Sequence, residues 1–178
     1  MKGCGNMNKY ERVMRVIEGK EADRVPCGFW YHFTEGYGSG MPAVERHMEF
    51  FEKSGTDIYK IMNENTCPND PAIKNAEDWS HLKSFSMEDE FIQKQIWLIK
   101  NIAERVDHQA VIVATVHGMI ASLYHILGGT ELYDHDGTII ARHMRENPEG
   151  MKHACEVVKD YLIGSCKEFI KAGADGIY

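Results

Sequence analysis

Ala110-Val111-Ile112-Val113-Ala114-Thr115-Val116, running straight into His117-Gly118, is the stretch on which the fold turns. It is continuously apolar or β-branched with no polar alternation, as expected of a strand whose two faces are both covered by side chains, the usual state inside a parallel sheet. On its N-terminal side, a pattern over about residues 88–106 places Ile92, Ile96, Ile99, Ala103 and Val106 at spacings of four and three, so a helix with one buried face precedes the strand. Glu88-Asp89-Glu90 suits the first turn of that helix. Further upstream, Asp57-Ile58-Tyr59-Lys60-Ile61-Met62 follows Gly55 as a second strand, and Val25-Pro26-Cys27-Gly28-Phe29-Trp30-Tyr31 reads as another, with its proline tolerated at the strand beginning.

Helical patterns fill the intervals. One covers about residues 9–18, with Asn8 as N-cap, Glu11 at the third position and Gly19 as stop; another lies near residues 43–54. Two short ones are predicted at about 121–127 and 137–146, separated by Gly128-Gly129. The longest starts with Asn147 as cap and Pro148 at its first position, carries Met151, Ala154, Cys155, Val158, Tyr161, Leu162, Ser165 and Phe169 on one side, and stops at Gly173. Ala172-Gly173-Ala174-Asp175-Gly176-Ile177-Tyr178 then reads as a helix stop followed by a fourth strand, an ending that suggests part of a larger domain. About four parallel strands with surrounding helices fit an open doubly wound sheet or half of a (β/α)₈ TIM barrel, which typically needs ~250 residues. The first strand's turn lacks the Gly-rich patterns that cradle nucleotide phosphates, and this favours the incomplete barrel.

Composition narrows the function classes. The 178 residues are 43% hydrophobic and 26% charged, an ordinary globular balance. A net charge of -7 repels phosphate backbones and anionic headgroups, so nucleic acid and membrane surfaces are poor partners. There is no apolar run long enough to span a bilayer and no secretory leader, from which a cytoplasmic location is expected. Cys4, Cys27, Cys67, Cys155 and Cys166 are odd in number and form no C-x-x-C pair, so they read as reduced thiols rather than disulfides or a zinc knuckle.

In either architecture ligands bind beyond the carboxyl ends of the strands, where this chain places Tyr31-His32, Asn63-Glu64 and His117. His32 and His117 can act as acid/base groups, or as rim residues bonded to loop carbonyls. Gly118 after His117 would allow backbone to approach a ligand, or would only permit a tight turn. Lys60 shares a strand face with Met62 and Glu64, which makes Lys60/Glu64 a candidate internal ion pair; the alternative is a lysine stem that reaches out to water. The expected catalytic set is His32, Glu64 and His117, with Tyr31, Asn63 and Lys60 binding substrate and no metal ligand. The other histidines, His47, His81, His108, His125, His135, His143 and His153, show no ligand spacing and read as surface or core filler. Phe29-Trp30-Tyr31-His32-Phe33 can face a flat apolar ligand or simply pack. The long polar loop Asn63-Glu64-Asn65-Thr66-Cys67-Pro68-Asn69-Asp70-Pro71 is the type of βα connection that carries function.

Glu11-Arg12-Val13, Arg24-Val25-Pro26 through Phe33, Asp57 through Glu64, Arg145-Glu146-Asn147-Pro148-Glu149 and Ala172 through Tyr178 occur in an order that resembles the amino-terminal half of the uroporphyrinogen decarboxylase family. The resemblance implies a single (β/α)₈ barrel domain of which residues 1–178 are that half. Its pocket would lie at the carboxyl rim, in a family of cofactor-free decarboxylases acting on tetrapyrrole acetate side chains in porphyrin biosynthesis and of corrinoid-linked methyltransferases. Decarboxylases of the family carry an arginine in the loop after the first strand; this chain has Tyr31, His32, Phe33, Thr34 and Glu35 there, and its arginines map to helices or the opposite strand end. The methyltransferases bind zinc through a His and Cys set of the later half. The implied partner is therefore a small molecule, a tetrapyrrole or a corrinoid protein, with a homo-oligomer compatible and no cofactor within this chain. A half-barrel alone would be inactive, or would need a complementary half.

Overall fold

The computed structural model describes residues 7–128 and 138–178. Cys4, Gly129, His135 and Gly137 lie outside the described residues. The chain is mixed α/β, in the order α1 (Lys9–Ile17), α2 (Gly40–Ser54), β1 (Ile58–Ile61), a 3₁₀ turn (Ala76–His81), α3 (Glu90–Val106), β2 (Val111–Ala114), α4 (Met119–Leu127), α5 (Thr138–Glu146), α6 (Pro148–Lys171) and β3 (Gly176–Ile177). Two compact units emerge. The first comprises the described residues up to Glu64 with Lys94–Thr115 and Lys167–Tyr178; the second comprises Asn65–Gln93 and Val116–Cys166.

In the first unit β1, β2 and β3 form one parallel sheet in that order, with Ile58 opposite Val111, Ile61 opposite Ala114, and Val113 opposite Gly176. Thr115 N–H donates to the Ile61 carbonyl and Tyr178 N–H to that of Ala114, carrying the pairing past the strand ends. Tyr59 points to one side of the sheet and stacks on Phe51 of α2 at 4.1 Å between ring centroids. Polar side chains finish this edge from within: Asn63 Nδ2 donates to the Thr115 carbonyl and Gln95 Nε2 to that of Met62.

The expected strand Val25–Tyr31 is not one, so the described sheet has three strands and not four. Its link to β1 is the Cys27 carbonyl, which accepts from both Asp57 N–H and Ile58 N–H at 2.8 and 3.1 Å. Pro26 has no N–H to give, and Gly28 is pressed so close to β1 that a Cβ there would lie 3.2 Å from that of Ile58. The segment still lies beside β1, with Gly28 against Ile58 and Trp30 against Lys60, and His32 then reaches further along to Glu64.

What ties this segment down is a buried ion network at the start of β1. The fully buried Asp57 carboxylate accepts from Arg12 Nη1 at 2.7 Å, from Arg24 Nη1 and Nη2 at 2.6 and 2.7 Å, and from Cys27 N–H at 2.9 Å. Arg12 in turn grips Asp23 through Nε and Nη2 at 2.6 and 2.7 Å. Burial alone would raise the Asp57 carboxyl, but the hydrogen bonds from Arg24, Cys27 and Arg12 outweigh it and hold it below the ordinary range. Asp23 is held low chiefly by Arg12.

A second anchor is His47 of α2, which is buried. Met62 N–H donates to its Nε2 at 3.0 Å, so the ring proton sits on Nδ1 and donates to the Ala43 carbonyl at 2.7 Å. Desolvation pushes this imidazole down to about 4.

The second unit has its own core. The 3₁₀ turn, which lies between the loop expected over 63–71 and the helix expected from about 88, is closed by a capping box between Asn75 and Asp78 and buries Trp79, whose Nε1 donates to His143 Nδ1 of α5 at 2.9 Å. Asn147 caps α6 by accepting from Gly150 N–H at 3.0 Å, with Pro148 at its first position as anticipated. Phe85, Phe91 and Tyr161 pack as an aromatic cluster with centroids 5.4 to 5.7 Å apart.

Asp57→Asn leaves two guanidinium groups facing a neutral amide, and we expect a loss of about 3–5 kcal/mol in chemical denaturation. Because both carboxyls are depressed in the fold, their contribution is complete above the unfolded value of about 4 and disappears as the pH falls below it. His47 acts in a different window. Unfolding lets it take up a proton that the folded ring refuses, so stability rises with pH between about 4 and 6.5, by about 3 kcal/mol in all. His47→Gln should flatten that slope in denaturation measured across the window.

Candidate functional site

The face of the sheet opposite Tyr59 carries Ile58, Lys60, Val111, Val113, Gly176 and Tyr178, because side chains alternate along each strand and the register aligns them across it. Lys60 is its chemical centre. The residue is 6% exposed, and its Nζ lies 3.9 Å from the Trp30 ring centroid and 3.4 Å from that of Tyr178. Among the described residues Lys60 makes no ion pair. The pairing with Glu64 does not form, since Glu64 Oε1 is taken by His32 Nδ1 at 2.9 Å, and the lysine stem does not reach water either.

The energetics of that setting are unusual for a lysine. Removing an ammonium from water costs several kcal/mol, and a ring face returns about 0.5–2 kcal/mol, so without a carboxylate the charged form is disfavoured. The Lys60 amine accordingly sits below the ordinary lysine range, through desolvation. Beside it the Trp30 ring meets His32 edge-on at 5.6 Å, so Lys60, Trp30, His32 and Glu64 form a contiguous row of an amine, an indole and a hydrogen-bonded imidazole–carboxylate pair. His32 is exposed, so the pair presents a proton-carrying group to solvent and to any ligand on this face.

Tyr31 and Asn63 are used differently from one another and from that row. Asn63 is buried and bonds backbone. Tyr31 packs against Phe33 and Phe50 at 4.9 and 5.0 Å and accepts from Arg46 Nη2 at 2.8 Å. Arg46 is a contributor to this aromatic segment that reading the sequence missed. It belongs to α2, yet its guanidinium lies 5.7 to 6.0 Å from the rings of Phe33, Tyr31 and Tyr37, and it also bonds Glu49. The aromatic segment 29–37 thus receives from a helix the arginine it lacks in its own sequence. The signal was available in principle, since an arginine close in sequence to several aromatics invites cation–π contact, but nothing in the spacing says which helix residue reaches the loop.

His117 belongs to the second unit. There its ring meets His125 edge-on at 5.2 Å, and its carbonyl accepts from Ser122 Oγ at 3.3 Å in the first turn of α4. Gly118 has φ -68, and a Cβ there would meet nothing, so its place is not explained by a tight turn. Burial lowers the His125 imidazole and raises the Cys67 thiol to about 11, so Cys67 is a protonated, buried thiol. Among the described residues no three His, Cys, Asp or Glu side chains gather in a way that would hold a metal ion, and no helix is long and apolar enough to cross a membrane.

No family model matches the chain, and no curated protein matches it significantly.

If desolvation governs Lys60, Lys60→Met should leave stability unchanged or raise it in chemical denaturation. A loss above about 1 kcal/mol would show that the cation–π contacts dominate instead.

Proposed function

We propose that the chain is the amino-terminal portion of a uroporphyrinogen decarboxylase-like (β/α)₈ barrel enzyme, a carboxy-lyase whose substrate lies on the face carrying Lys60 and the His32–Glu64 pair. The observation that carries this reading is the row Lys60, Trp30, His32 and Glu64, assembled from the two motifs that bear the family resemblance, 24–33 and 57–64. The parallel sheet and the course of Gly28 and Trp30 beside Ile58 and Lys60 of β1 support the barrel. The Arg12, Arg24 and Asp57 network gives those motifs a structural reason to occur together.

In decarboxylation the carbon–carbon bond to the carboxylate breaks, carbon dioxide leaves, and the electron pair stays on the substrate carbon until a proton arrives. His32, held by Glu64, delivers that proton, and Asn63 orients the substrate; His117 is the chain's other acid/base candidate. Tyr31 and Arg46 supply a positive, hydrogen-bonding edge for the substrate's remaining carboxylates.

Corrinoid-linked methyl transfer is the second reading, and it is favoured by one fact: Arg46 is already engaged by Glu49, so the guanidinium that reaches this loop is partly neutralised. The described residues gather no zinc ligand set of their own.

The complete enzyme of which this chain is the amino-terminal portion, given uroporphyrinogen, should release carbon dioxide, and His32→Ala and His117→Ala in it should each lower turnover by about 10²-fold or more with little change in stability. Methyl transfer from a methylated corrinoid to a thiol, without carbon dioxide release, would replace the first reading by the second. An unchanged turnover in His32→Ala would remove the assigned proton donor.

A further inference from the structure

We propose that Lys60 is an amine nucleophile that forms a Schiff base with a small aldehyde or ketone bound on this face of the sheet. The geometry is particular. Nζ is enclosed by two aromatic rings, at 3.9 Å from Trp30 and 3.4 Å from Tyr178, in a residue 6% exposed, and no carboxylate of the described residues holds it as an ammonium. A lysine deprived of water and of a counter-charge gives up its proton more readily than an exposed one, and the free amine is what nucleophilic attack on a carbonyl requires. Desolvation moves the amine in that direction.

Access comes from the covering side chains, since Trp30 and Tyr178 are themselves 45% and 64% exposed. Gly28 and Gly176 occupy the flanking positions of the same face with no side chain to obstruct it. The groups facing Nζ are Trp30 of the 25–33 segment and Tyr178 after β3, and the titratable His32–Glu64 pair adjoins it through Trp30.

The step balances without a cofactor. The Nζ lone pair attacks the carbonyl carbon and the carbonyl π pair moves to oxygen. One proton passes from the nitrogen to the oxygen to give the carbinolamine; the nitrogen then loses its second proton, the oxygen gains a second and departs as water, and a carbon–nitrogen double bond remains. Those protons are exchanged with water or with the exposed imidazole of His32, which lies on the other side of Trp30 with its Nδ1 hydrogen-bonded to Glu64 Oε1. Schiff-base formation at Lys60 does not require the decarboxylase reading, which is tested separately by carbon dioxide release.

The test is reductive trapping. The full chain is incubated at neutral pH with pyruvate and cyanoborohydride, and adducts are assigned to individual lysines by peptide mass mapping. Lys60 should be modified about tenfold faster than the exposed Lys20, Lys53 and Lys171, because a larger share of it is the unprotonated amine. Lys60→Arg keeps a cation between the rings and should abolish the fast adduct while leaving the slow ones. Modification of Lys60 at or below the rate of those exposed lysines overturns the proposal, and so does a fast adduct that persists elsewhere in Lys60→Arg.

Discussion

The Asp57 carboxylate at the start of β1 is the constraint from which the first unit is organised. A fully buried anion is intolerable unless it is paired and hydrogen-bonded, and this one is satisfied only when Arg12 of α1, Arg24 and the Cys27 N–H converge on it. Meeting that demand brings together a helix, the irregular 25–33 segment and the first strand. These parts are separated by up to 45 positions in the chain. Once Cys27 is fixed against Ile58, the following residues run alongside β1: Gly28 meets Ile58, Trp30 meets Lys60, and His32 reaches on to Glu64.

Two ends of the same strand therefore solve opposite electrostatic problems. At its beginning, charge is buried and matched, so the carboxyl stays ionised. Further along, Lys60 is buried and unmatched, flanked by ring faces that return less than water did. A chain that can satisfy a buried anion with two arginines, yet leaves a neighbouring lysine without a carboxylate, has a chemically distinctive position there. The acid/base pair His32–Glu64 sits just beyond it, at the exposed margin where protons can be exchanged with solvent.

Local signals in the sequence were legible where local physics decides. The caps at Asn8 and Asn147, Pro148 at the first position of α6, and the amphipathic stripe of α3 all lie where the residue types place them, because each depends on neighbours within a turn. β1, β2 and β3 appear within the predicted apolar runs, and their parallel pairing follows from the intervening helices. Val25–Tyr31 failed as a strand because an apolar, aromatic run does not reveal that Pro26 and Gly28 will leave it with a carbonyl-only link to its neighbour. The 3₁₀ turn over Ala76–His81 was lost inside polar sequence, although its Asn75 and Asp78 capping box was written there.

The candidate site divides along the same line. Sequence by itself determined that His32, Lys60, Asn63 and Glu64 lie at or near the carboxyl end of their segments, since period-two alternation and strand exits are properties of consecutive residues. Only the tertiary structure decided who meets whom: Glu64 pairs with His32 and not Lys60, Lys60 is enclosed by Trp30 and Tyr178, and α2 lends Arg46 to Tyr31. The reason is physical. Desolvation and hydrogen-bond geometry are set by atoms brought from distant parts of the chain, and no local pattern carries the distance between them.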